Sequence, residues 1–176
     1  MRGSDVNAYQ EIEALLRYEG DIPRERVLNW IGSKDFETWA VLYVLTDKAY
    51  CRIKPELGMV AICNFIKDYL MRCLAENPEA GDYIHSGYEA WELAGWLKHL
   101  ENLGADTEQV IRQVASDVEG LYRRSDRDAR ERIINGFLEH VFERPSLRRL
   151  FDRWRQDPEL GEAYTLASEW GDAHLE

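Results

Sequence analysis

Apolar positions recur at helical spacing along most of this chain, and caps, prolines and glycines divide the pattern into segments of about 10–18 residues. The densest segment, residues 59–74 (MVAICNFIKDYLMRCL), is interrupted only by Asn64, Lys67, Asp68 and Arg72. A helix that is apolar nearly all round is buried within its own domain. A bilayer span would need about 18–20 uninterrupted apolar residues, which this run lacks. The pattern therefore predicts a central helix that the others pack around, with Asn64, Lys67 and Asp68 marking the part that reaches the surface.

Upstream, a stripe through Ile12, Leu15 and Leu16 starts near Asp5 and ends near Gly20. A second helix is expected over residues 23–31, with Pro23 in its first turn, Gly32 closing it, and Val27, Leu28 and Ile31 facing inward. A third, residues 36–47, takes Ser33 or Asp35 as its cap. Its apolar density would also suit a strand, but its length and Ala40 favour a helix. A loop or short helix through residues 49–53 leads to Pro55, which is expected to open the central helix.

Downstream, Asn77-Pro78 ends the central helix, because a residue before proline avoids the helical region. The loop that follows is the candidate hinge, at residues 77–84. Ser86 and Glu89 have the spacing of a capping box. That box opens a helix to Asn102 with Ala90, Leu93, Ala94, Leu97 and Leu100 on one face and Gly104 as its stop. Asp106 or Thr107 caps the next helix, whose stripe is Val110, Ile111, Val114, Val118 and Leu121. Ser125 caps another, burying Ile133, Ile134, Phe137, Leu138 and Val141. Pro145 and Asp157-Pro158 set off two last helices, near residues 147–155 and 158–170.

These elements define an all-α fold: an irregular bundle of about eight helices, taken as one domain over residues 1–176. A short α-solenoid of stacked hairpins is the alternative, but no pattern repeats at a fixed period.

Composition narrows the function classes. The formal charge is -11, which disfavours general nucleic-acid binding, since phosphate contacts need a basic surface. The exception is residues 121–155, with ten arginines against six acids. A helical adaptor binding nucleic acid through residues 123–155 is thus a further alternative. The i, i+4 pairs Asp126–Arg130, Asp128–Arg132, Arg127–Glu131 and Arg148–Asp152 would neutralise much of that segment, and the acids of residues 157–172 could meet it within the fold. Three cysteines, Cys51, Cys63 and Cys73, in apolar surroundings and without a CxxC fit inert reduced thiols. With no signal peptide read at the start of the chain, a cytoplasmic location is expected. No GxGxxG or GxxxxGK[ST] motif occurs, and no cofactor, metal or membrane association is expected.

The most function-like set falls in and around the helix that begins at Glu89. Asp82, Tyr83, Tyr88, Glu89, Glu92 and Trp96 are read as an acidic, aromatic face for a protein partner with a basic surface. Acidic groups speed encounter with such a partner, and aromatic anchors supply the desolvated centre. His85, Trp91 and His99 belong to the same function-like set, and the plainer alternative is that Trp91 and Trp96 pack against neighbours while Glu92 and His99 stay solvated. An enzyme using Glu89, Glu92, His85 or His99 as acid–base groups is the alternative, and it requires those residues to converge in a pocket. Glu92 and His99, seven apart, are too far along a helix to share a metal as an HExxH pair does. His140 and Glu143 read as a minor surface pair, and Trp170 as an apolar anchor for the last helix. By class rather than by residue match, small acidic helical domains without a catalytic signature are similar to bacterial toxin inhibitors such as immunity proteins and antitoxins. The expected function is therefore a non-enzymatic binding module that masks a partner.

Overall fold

A computed structural model of the chain describes residues 7–17, 20–48, 57–85, 87–104 and 107–175. Among these the structure is all-α, with no strand. The expectations placed on Asp5, residues 49–55, Ser86 and Asp106 lie outside the described residues. The chain divides into two compact units: Met1–Tyr69 with Pro78–His85, and Leu70–Asn77 with Ser86–Glu176.

The first unit holds α1 (Ala8–Leu15), α2 (Arg24–Ser33), α3 (Phe36–Lys48) and the first part of α4 (Met59–Glu76). Asp35, rather than Ser33, caps α3: its Oδ2 accepts from the Thr38 amide at 2.8 Å and the Thr38 hydroxyl at 2.7 Å. In α2 the buried residues are Val27 and Trp30, while Leu28 is exposed. The expected inward face was therefore rotated. Trp30 wins the interior position because its indole N–H can donate to Glu11 at 3.1 Å, which satisfies the polar end of a large aromatic. The interior of this unit is aromatic. Trp39 meets Phe65 edge-on at 5.6 Å, and Tyr43 and Tyr69 lie 4.9 Å apart.

In α4, Ile62, Cys63, Phe65, Tyr69, Leu70, Cys73 and Leu74 are buried. Val60, Asn64 and Asp68, spaced four apart, form an exposed line. Asn64 and Asp68 were expected there; Val60 was not. Cys63 and Cys73 are buried thiols outside any disulfide, and burial pushes the Cys63 thiol up, away from the reactive thiolate.

The second unit holds the end of α4 and five helices: α5 (Glu89–Leu103), α6 (Glu108–Arg124), α7 (127–142), α8 (Pro145–Arg148) and α9 (Gly161–Ala173). The expected stripes of α5 and α6 are buried as read, with Ala115 and Tyr122 added on α6. Gly104 ends α5 at φ +91°, a conformation only glycine adopts cheaply. Asp126, not Ser125, caps α7: its Oδ1 accepts from the Ala129 amide at 2.9 Å. Ser125 instead donates back to the Leu121 carbonyl at 2.7 Å. Within α7 the segment Ile133–Leu138 is π-helical. After α8 the chain tightens into a 3₁₀ turn, Arg149–Gln156, that buries Phe151 and Trp154.

Two glycines set helix spacing in this unit. A Cβ on Gly171 of α9 would lie 2.7 Å from the Phe142 carbonyl carbon and oxygen, and one on Gly136 of α7 would lie 2.7 Å from the Ala90 Cβ. Both positions need bare backbone. No described helix is long and apolar enough to cross a membrane.

Candidate functional site

The start of α5 combines several features that ordinary packing does not produce. Tyr88, the residue before its first turn, is 71% exposed, and Trp91, three residues on, is 56% exposed. Two large aromatics are thus exposed to solvent within four residues at the start of α5. Glu92 and Trp96 are half-buried further along the same helix. Tyr88 supplies no side-chain cap, so the first amides of α5 have no side-chain acceptor from it.

Between these aromatics in sequence sits Glu89, with 0% of its surface exposed. Neither of its carboxylate oxygens has a hydrogen-bond partner among the described residues. The Ser86 half of the expected capping box lies outside those residues. Glu89 is therefore not available as a contact on the binding face proposed from the sequence. Next to it, Ala90 receives Gly136 from the π-helical part of α7, a type of segment that recurs at functional sites. Gly87, Ala90, Arg132, Asn135 and Gly136 help line a cavity of about 470 Å³ there.

Asp82 and Tyr83 belong to the first unit. Asp82 is exposed. Tyr83 donates its hydroxyl to Glu13 at 3.3 Å and lies 5.9 Å from the Tyr9 ring. Partial desolvation, and then the Glu13 carboxylate, push the Tyr83 phenol up. Trp91 belonged to the function-like set of the sequence but not to the binding face read from it; its place opposite the Leu93–Leu97–Leu100 stripe was the signal for its exposure.

The acid–base alternative fares differently. His85 belongs to the first unit, edge-on to Tyr43 at 5.1 Å and Tyr69 at 6.1 Å. His99 is exposed on α5, and Glu89 is sealed. None of the described cavities is lined by His85, Glu89, Glu92 or His99. Among the described residues, no group of three or more His, Cys, Asp or Glu could hold a metal ion.

A second polar cluster is built around Glu143, which is only 8% exposed. Lys98 of α5 donates to its Oε2. His140 Nδ1 is 2.9 Å and Trp170 Nε1 3.3 Å from its Oε1. The expected surface pair is thus a buried, three-partner node. Burial alone would raise the Glu143 carboxyl, but the hydrogen bonds from Lys98, His140 and Trp170 outweigh it and hold the group below its ordinary value. Trp170 remains partly exposed and stacks on His174 at 4.1 Å. It anchors α9 through its indole N–H rather than by burial.

The arginines of residues 123–155 are largely spoken for. Arg123 pairs with Glu119, Asp157 and Glu159, Arg130 with Glu159, and Arg148 with Asp172. The acids after residue 156 do meet them. The Arg123 hydrogen bond holds Asp157 down at about 2. Of the expected i, i+4 pairs, Arg127–Glu131 forms at 2.9 Å. Asp126 is instead occupied as a cap, and Arg148 turns to Asp172.

No family model, curated protein or solved structure matches this chain.

Proposed function

We propose that this protein is a non-enzymatic binding module that masks a partner protein, in the manner of an immunity protein or antitoxin, and that Tyr88 and Trp91 are its anchors. The carrying observation is that both of these aromatics, at the start of α5, are exposed to solvent. Tyr and Trp are the residue types that most often dominate binding energy, because they desolvate large surfaces at small entropic cost. Glu92 and Trp96 extend the same helix and supply a charge and a further aromatic edge. Asp82 and Tyr83 belong to the expected set as residues of the first unit. With a net charge of -11, the chain attracts a basic partner and accelerates its encounter.

The test is affinity capture from lysate of the source cell with the wild-type chain and with Tyr88→Ala/Trp91→Ala and Glu92→Lys. A basic protein held by the wild type and lost by the double variant supports the reading. Capture that is indifferent to all these substitutions, or no partner at all, contradicts it.

A further inference from the structure

A different surface of the second unit has the form of a groove. Near its C-terminal end α6 is tied to the 3₁₀ turn: Glu119 accepts from Trp154 Nε1 at 3.1 Å and pairs with Arg153 at 2.5 Å, and the Tyr122 and Trp154 rings lie 5.7 Å apart. Toward the start of α6 a cavity of about 700 Å³ opens, lined by α6 residues from Glu108 to Ser116 and by residues of α8 and the 3₁₀ turn from Ser146 to Arg153. Ile111, Ala115, Leu147 and Leu150 give it an apolar floor. Eight residues of helix advance about 12 Å, so the α6 wall matches roughly two turns of a docked helix.

The charges on its walls choose the occupant. Glu101 is held by Arg144 at 3.2 Å, and Glu108 by Arg112 at 2.6 Å. Arg153 is engaged by Glu119. Arg149, exposed on the wall, has no hydrogen bond or ion pair among the described residues. Among the described residues lining the groove, the one uncompensated charge is thus a guanidinium, in a chain whose overall charge is negative. Repulsion from distant acids is screened beyond about 8 Å at physiological ionic strength, so the local cation governs docking.

We infer that this groove binds an amphipathic helical segment of another protein, with the segment's apolar stripe on Ile111, Ala115, Leu147 and Leu150 and an Asp or Glu carboxylate on Arg149. Helix-in-groove docking needs an apolar floor and a polar rim, and both are present. An arginine suits a carboxylate because its planar fork donates two parallel hydrogen bonds. A basic segment finds both wall carboxylates already occupied. Nucleic acid would meet an apolar floor and walls on which two of the three arginines, Arg112 and Arg153, are already paired with carboxylates.

The probe is a fluorescein-labelled 16-residue helical peptide with leucines at i, i+3, i+4 and i+7 and glutamates on the flanks. A lysine-flanked counterpart and a scrambled glutamate peptide serve as comparisons, all read by anisotropy against the intact chain. The glutamate peptide should bind at least about ten-fold more tightly than either. Arg149→Glu should weaken it about ten-fold, and Ser116→Trp, which fills the groove from an exposed position, should abolish it. Both variants keep Tyr88 and Trp91, so partner capture through those residues should persist. The inference is overturned if the glutamate peptide fails to bind at about 1 mM, if the lysine peptide binds equally well, or if neither variant changes affinity. Preferential binding to phosphatidylserine vesicles or to labelled single-stranded DNA would also overturn it.

Discussion

Glu143 and Glu89 are two buried carboxylates in the same unit, and their surroundings are opposite. Glu143 gathers a lysine, a histidine ring nitrogen and an indole N–H from α5, α7 and α9. Glu89 is more completely buried and has no partner among the described residues. A buried charge with full hydrogen bonding can hold elements in register, whereas an unpartnered polar group costs about 1–3 kcal/mol or more. The first region follows the rules for stability. The second breaks several at once: a buried carboxyl group without a partner among the described residues, no side-chain cap from Tyr88, a π-helical neighbour and two exposed aromatics. Such local violations gather where a protein trades stability for function. This contrast is the physical reason for looking to the start of α5, rather than to the better-formed polar cluster, for binding.

The contrast can be broken by substitution. Glu143→Ala strips Lys98, His140 and Trp170 of their shared acceptor, and is expected to cost about 3–5 kcal/mol in urea unfolding. A loss below about 1 kcal/mol would place Glu143 among ordinary surface pairs. Glu89→Leu removes a buried carboxyl group that has no hydrogen-bond partner among the described residues, and should stabilise the chain by about 1–3 kcal/mol. Equal destabilisation by both substitutions would erase the comparison.

Acid sharpens it further. The folded-state carboxyl of Glu143 is depressed, so its contribution is fully present above the unfolded value of about 4.3 and is lost as pH falls through the lower folded value. Glu143→Gln should therefore flatten the acid limb of the stability curve below about pH 4.3, leaving the part that belongs to Asp157. Unchanged acid sensitivity would mean the cluster does not titrate as described. The smallest effect is expected at Arg127–Glu131, where Arg127→Ala should change stability by about 0.2–0.5 kcal/mol.

Much of the fold was legible because it rests on local spacing. The stripes of α5 and α6, the stop at Gly104 and the break at Asn77-Pro78 are each decided within a few residues. Ser125 was read as the cap of α7, and only the backbone geometry gave that role to Asp126. What was not legible is long-range. Glu143 meets Lys98 from 45 positions away and Trp170 from 27, so a contact that looked like an i, i+3 surface pair became a buried node. Glu89 failed in the other direction, since its local motif argued for a cap at the surface and tertiary packing sealed it inside. At the candidate face, Tyr88 was read as exposed and is exposed. Trp91 was left off that face, with packing against neighbours read as the plainer role for it and Trp96, and it is exposed.

The central claim is that Tyr88 and Trp91 serve binding and contribute little to folding. It is tested most directly by measuring the melting temperature and the partner capture of Tyr88→Ala/Trp91→Ala side by side. Exposed side chains contribute within about 0.5 kcal/mol of zero, so the account predicts an essentially unchanged melt with capture lost. A lowered melting temperature with capture intact would contradict it.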